Sequence, residues 1–134
     1  MMPVPPRRVF TTGRKREAMV GYARAVRIGP SIEICGCAPT ADDGSTVGKG
    51  DIYEQTRQCL RVIGEALAGV GDGFDDVTRT RIFTTAPRRW REIGRAHGEV
   101  FGAIKPVTSL GGVRGLLDPE WLVEIEATAY RTGD

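Results

Sequence analysis

The chain has 134 residues, 40% of them apolar and 27% charged, and a formal charge of only +2. That length supports a single domain with its own core, and so small a net charge gives no ground for a nucleic-acid or membrane-surface partner. No stretch reaches the roughly 18 consecutive apolar residues of a membrane span. The proline- and arginine-rich start is not an apolar leader, so a cytoplasmic setting is expected.

Residues 1–18 mix Pro, Arg, Lys, Thr and Gly without a period and read as an irregular lead-in, with a single domain over 19–134. Residues 21–28 predict a strand, and after Gly29-Pro30 a second begins at Ser31, alternating Ile32 and Ile34 with Glu33 and Cys35, so the two form a hairpin. The Asp, Gly, Ser and Thr residues of 39–50 mark a surface loop. Asp51 with Glu54 predicts the capped start of a helix over 51–68, its stripe carrying Ile52, Cys59, Leu60, Ile63, Leu67 and Val70. Glycines 69, 71 and 73 stop it, and the β-branched run 77–85 predicts a strand. Pro87 opens a second helix through Phe101, with Trp90, Ile93, His97, Val100 and Phe101 inward. Strands over 107–114 and 122–130 follow, separated by a turn at Asp118-Pro119.

The last strand alternates strictly. Val123, Ile125, Ala127 and Ala129 share one face and Glu124, Glu126, Thr128 and Tyr130 the other. The first set suits packing on helices, whereas the acidic set meets water or lines a polar cavity. Strands and helices in this order give an α+β protein with a sheet of about six strands and two helices on one face. Self-association is expected to cover the other face, whose small and mixed residues lack a charged surface.

Three cysteines (Cys35, Cys37 and Cys59) and one histidine do not make a metal site, and their odd number fits a reduced compartment. On a regular strand Cys35 and Cys37 point the same way about 6.6 Å apart, which strains a bridge between them. No dinucleotide glycine fingerprint and no phosphate loop is present, so no cofactor is expected.

Gly21-Tyr22, the block 34–39 (ICGCAP), the helix start 50–58 (GDIYEQTRQ), Asp75-Asp76-Val77 and 122–127 (LVEIEA), in this order, resemble the RidA/YjgF (Rid) family of enamine/imine deaminases. The resemblance spans about residues 20–130. It implies a chorismate-mutase-like fold, a homotrimer and small-molecule pockets between adjacent subunits. In deaminating members an arginine just inside the penultimate strand holds the substrate carboxylate; here Thr108 occupies that position. A hydroxyl cannot replace a bidentate guanidinium contact, worth about 1.5–3 kcal/mol. Arg114 shares the parity of Thr108 but lies some 20 Å along the strand, at about 3.3 Å per residue. Cys35 and Cys37 stand where the family has Ser or Thr and a polar residue, and Gly94 stands where it has an Asn; Tyr22 and Glu124 are kept in type. The chain therefore resembles an arginine-lacking subgroup and is not expected to be a typical 2-aminoacrylate deaminase, a substrate without an α-carboxylate being preferred.

Glu124 is the candidate acid–base, since a carboxylate with a raised pKa can both protonate an imine nitrogen and deprotonate water. Cys35 is the candidate nucleophile, and Tyr22, Thr108, Cys37 and Gly94 are candidates for shaping the pocket. His97 reads as a hydrogen-bonded core residue. Two alternatives from other classes stand beside the hydrolase: a non-catalytic metabolite-binding or chaperone-like trimer, and an endoribonuclease-type protein binding RNA through Arg88, Arg89, Arg91 and Arg95. Nucleic acid is not the expected partner, because no aromatic residues are interleaved for base stacking.

Overall fold

The computed structural model describes residues 3–133 as one six-stranded mixed sheet with helices packed on one face. The strands are β1 (Arg7–Phe10), β2 (Ala25–Ile28), β3 (Ser31–Cys37), β4 (Val77–Thr84), β5 (Val107–Gly112) and β6 (Val123–Tyr130), in the spatial order β1-β2-β3-β6-β4-β5. The helices are α1 (Lys15–Val20), α2 (Ile52–Gly69) and α3 (Trp90–Phe101). The α+β reading holds, and no helix among the described residues is long and apolar enough to cross a membrane.

The alternation of β6 explains its central place. It pairs antiparallel with β3 on one side and β4 on the other, so β3 and β4 run parallel and need α2 as their crossover. Val123, Ile125, Ala127 and Ala129 are all at most 2% exposed and meet the stripe of α2 that carries Cys59, Leu60, Ile63 and Leu67. Asp51 caps α2 through its carboxylate, which accepts from the Glu54 N–H at 3.1 Å. A second crossover, α3, joins β4 to its parallel neighbour β5. All six β5 residues are exposed, and the strand forms one border of the sheet.

The segment expected to be irregular over 1–18 contains β1 and most of α1 among its described residues. β1 pairs with β2, and Phe10 packs so closely on Gly69 that any Cβ there would strike its ring. α1 then turns at Gly21, whose φ of 89° suits glycine, so the strand expected from residue 21 starts only at Ala25. The fifth strand ends at Gly112, short of 114. The second long helix opens with a 3₁₀ turn at Pro87–Arg89, and Trp90 is half exposed beneath the guanidinium of Arg91 instead of facing inward.

Cys35 and Cys37 are also not successive same-face residues. Ile34 pairs with Ala127 and Cys37 with Ile125, so three steps of β3 match two of β6 and one extra residue bulges out. The shift carries Cys37 into the core at 0% exposure.

Candidate functional site

The start of β6 is fixed by a buried glutamine. Gln55 on α2 accepts from the Leu122 N–H at 2.7 Å and donates to the Gly48 and Glu120 carbonyls at 3.2 and 2.9 Å. On the other side, the Thr84 hydroxyl donates to the Leu122 carbonyl at 2.6 Å. These bonds satisfy a backbone that is leaving its loop and entering the sheet, and they hold Trp121 and Glu124 in place.

Across from β6, α1 hangs on a buried ion pair. Glu17 Oε2 lies 3.0 Å from Arg24 Nη2, both side chains being 5% exposed or less. Thr12 donates to Glu17 through its N–H (2.9 Å) and hydroxyl (2.7 Å), and Gly13 adds a third donor at 3.2 Å. Burial acts upward on the Glu17 carboxyl, but the Thr12 bonds and Arg24 outweigh it and hold the group below the usual carboxylate range. Arg24 also donates to the Gly36 carbonyl at 3.0 Å, tying α1 to the bulge of β3. Although burial opposes its charge, the neighbouring thiols and Glu17 hold it firmly protonated.

A cavity of about 360 Å³ opens between these two supports. Tyr22, Arg24, Gly36, Trp121 and Glu124 line it, with Arg14 and Arg16 from the α1 segment. On the uncovered sheet face, Glu126 pairs with Arg81 at 3.1 Å and Glu33 accepts from Thr128 at 2.8 Å. Glu124 has neither a hydrogen bond nor an ion pair among the described residues, and its carboxyl presses against Gly36. Burial pushes its pKa up; Arg24 pulls it back and Glu126 raises it further. A half-buried carboxyl with no protein partner among the described residues and a raised pKa can donate to a basic nitrogen and then accept from water.

Tyr22 and Glu124 thus come together at one cavity. Cys35 lies beside it, next to Gly36 in the bulge. The thiol of Cys37 as hydrogen-bond donor and the charge of Arg24 push the Cys35 thiol down against the effect of burial, whereas the bond with Cys35 and burial push Cys37 well up. Of the two, Cys35 ionises first. The Cys37 side chain belongs to the core, beneath the cavity floor.

Thr108 and Gly94 are not brought to this cavity within the chain. The Thr108 hydroxyl bonds to Thr80 at 2.8 Å on the helix-covered side, and Gly94 is on the exposed side of α3. Thr80 also bonds to His97 Nε2 at 2.9 Å, and the His97 ring lies 4.7 Å from that of Phe101. Burial lowers the pKa of His97, a packed residue remote from Glu124. Among the α3 arginines, Arg89 pairs with Glu92 at 2.9 Å, and Arg91 and Arg95 lie over the rings of Trp90 and Tyr53. Aromatic faces therefore do stand beside these arginines, contrary to the pattern read from the chain, but the guanidiniums already occupy them.

Sequence reasoning missed Glu17, Arg24, Gly36 and Trp121. A glycine inside a strand signals a bulge, which makes Gly36 readable; the Glu17–Arg24 pair, seven residues apart across a turn, has no local signature.

A family model described as Endoribonuclease L-PSP matches residues 12–131. The chain belongs to this family, the RidA/YjgF group that its residues resemble. The uncharacterized protein SCO2049 of Streptomyces coelicolor is 40% identical over 121 residues, covering 90% of this chain and 89% of the relative. The crystal structure of Rv2704 from Mycobacterium tuberculosis, a YjgF/YER057c/UK114 protein, matches with a TM-score of 0.86 and 45% identity, over 94% of this chain and 100% of that one. The human 2-iminobutanoate/2-iminopropanoate deaminase, 25% identical over 125 residues, covers 93% of this chain and 90% of its own length. The L-PSP family thus includes imine deaminases.

Proposed function

We propose that the protein is a Rid-type hydrolase that converts a small imine or enamine into a carbonyl compound and ammonia, in a cavity completed by an adjacent subunit of a homotrimer. The observation that carries this reading is Glu124: a desolvated carboxyl free of partners among the described residues, at the wall of a cavity sized for a metabolite. The trimer reading is supported by the uncovered sheet face, where Val9, Ile28, Val107 and Tyr130 stand exposed.

Protonated Glu124 gives its proton to the imine nitrogen, which makes the carbon electrophilic. The resulting carboxylate takes a proton from water as the water oxygen bonds to that carbon, forming a carbinolamine. Glu124 then protonates the amine; as the C–N bond breaks, ammonia departs, the carbinolamine hydroxyl becomes the carbonyl and its proton returns to Glu124. An enamine enters the same path after protonation at carbon. In this scheme Tyr22 orients the ligand and Cys35 shapes the wall, while Thr108, Cys37 and Gly94 act at most as supporting surface. Thr108 offers no guanidinium, so 2-aminoacrylate is not taken to be the preferred substrate.

The test is to supply the purified protein with 2-aminoacrylate generated by a partner enzyme and with a series of related imines. Acceleration of at least one, lost by about 10²–10⁴-fold in Glu124→Gln, is expected. No acceleration of any would overturn the proposal, and a tight complex with unchanged ligand would favour the metabolite-binding alternative.

A further inference from the structure

Four cations stand at the wall of the cavity: Arg14, Lys15, Arg16 and Arg24. Two are committed to the fold. Arg24 is bound to Glu17 and the Gly36 carbonyl. Arg14 donates to the Thr40 hydroxyl and carbonyl, both at 3.1 Å, with Asp42 and Glu65 at 3.8 and 3.9 Å. Lys15 is exposed to water. Arg16, like Lys15, has no hydrogen bond and no ion pair among the described residues, but unlike Lys15 it is half-buried, its guanidinium held 5.2 Å above the ring of Trp121.

Trp121 is 5% exposed, so the platform under Arg16 is rigid. A guanidinium held over an aromatic ring by its charge keeps its N–H donors for another partner, and two of them can form parallel bonds to a carboxylate. The indole N–H of Trp121 is likewise buried with no partner among the described residues, which leaves this wall rich in unmatched donors. The acidic groups of the cavity do not answer Arg16: Asp43 accepts from the Ser45 N–H and hydroxyl at 2.9 and 2.6 Å, and Glu124 lies against Gly36.

We infer that Arg16, seated on Trp121, is the anion-holding residue of this cavity and that the ligand is a small molecule bearing a carboxylate, its reactive end directed to Glu124. The assignment departs from the ligand without a carboxylate that Thr108 alone suggests, because the guanidinium is supplied by α1 instead of by the penultimate strand. The upward push of burial on the Glu124 pKa is compatible with it, since a second carboxylate in one small cavity favours the neutral form of the first. The assignment rests on reading the cavity as the substrate site, but it concerns binding and is tested without turnover.

The chain has two tryptophans, so Trp90→Phe on the exposed side of α3 leaves Trp121 as the sole indole reporter. Its emission is titrated with propionate, propionamide and inorganic phosphate. The expected result is saturable change with propionate, binding at least tenfold weaker for propionamide and for phosphate, and at least tenfold weaker propionate binding in Arg16→Gln. Arg16→Lys, which keeps the charge without the fork, is expected to fall between, and Lys15→Gln to stay within twofold, circular dichroism confirming the fold of each. Equal binding of propionate and propionamide, preference for phosphate, undiminished binding by Arg16→Gln, or no titration at all overturns the assignment. Propionate binding that depends on Arg16 in a protein that hydrolyses no imine would sink the hydrolase reading and leave this one standing.

Discussion

Gly36 and Glu124 are in contact that only a glycine permits: a Cβ at residue 36 would stand 2.9 Å from Glu124 Cδ and 3.2 Å from each carboxyl oxygen. Gly36→Ala therefore turns the carboxyl away. Because the displaced atoms are the end of a flexible side chain, stability is expected to change by less than about 1 kcal/mol. kcat on an accepted imine is expected to fall at least tenfold, since a shift of about 1 Å at a catalytic group costs much more than its folding energy. Parallel melting curves and initial rates separate the two effects.

Glu17→Ala leaves Arg24 buried without its carboxylate and frees the Thr12 donors. Breaking one partner of a buried pair costs about 3–5 kcal/mol, and urea denaturation at pH 7 is expected to show a loss in that range. The pH dependence follows from the lowered Glu17 pKa. Its stabilisation is complete above about 4.3, the value in the unfolded chain, and is lost as the pH falls below that through the folded value. The wild type and Glu17→Ala curves should converge in acid.

For Glu124 the sign is opposite. Its folded pKa is raised, so ionising it costs stability, a penalty absent in acid and complete once the pH exceeds the folded value. Glu124→Gln is expected to be more stable than the wild type at pH 8 and equal to it near pH 4. Urea midpoints at the two pH values decide this, and a variant that is inactive but more stable identifies a group retained for chemistry.

Gln55→Leu fits an apolar side chain into a space where one N–H and two carbonyls lose their partners. Each orphaned group costs about 1–3 kcal/mol, so a total loss of roughly 3 kcal/mol is expected, together with a shift in Trp121 emission as the start of β6 loosens.

The thiols are predicted to react in order of ionisation and access. Iodoacetamide followed by mass spectrometry should label Cys35 well before the buried Cys37 and Cys59, and Cys35→Ser should keep kcat within tenfold if Glu124 alone manages the protons.

The elements legible in the chain were those with a sustained period. The stripe of α2 and the strict alternation of β6 persist long enough for burial to impose them, and β6 indeed forms the middle of the sheet. β1 and α1, four and six residues long, have no room for a period; a ring pressed on Gly69 and a carboxylate answering Arg24 hold them. The candidate site divides along the same line. Glu124 was readable because a carboxylate on a central strand is conspicuous, and Tyr22 through the family pattern. Arg16 and Arg24 were not, since their pairing with Trp121 and Glu17 exists only after the chain has folded. Cys37 was misplaced because the bulge at Gly36 reverses the parity on which alternation depends.

The outermost strand, β5, carries no charge from Val107 to Gly112; Lys105 precedes it and Arg114 follows it. Bare main-chain donors and acceptors along such a border are a template for another strand. Pro106 and the two flanking cations stand at its ends, so the six residues between them are the stretch where misjoining with a stray strand would begin.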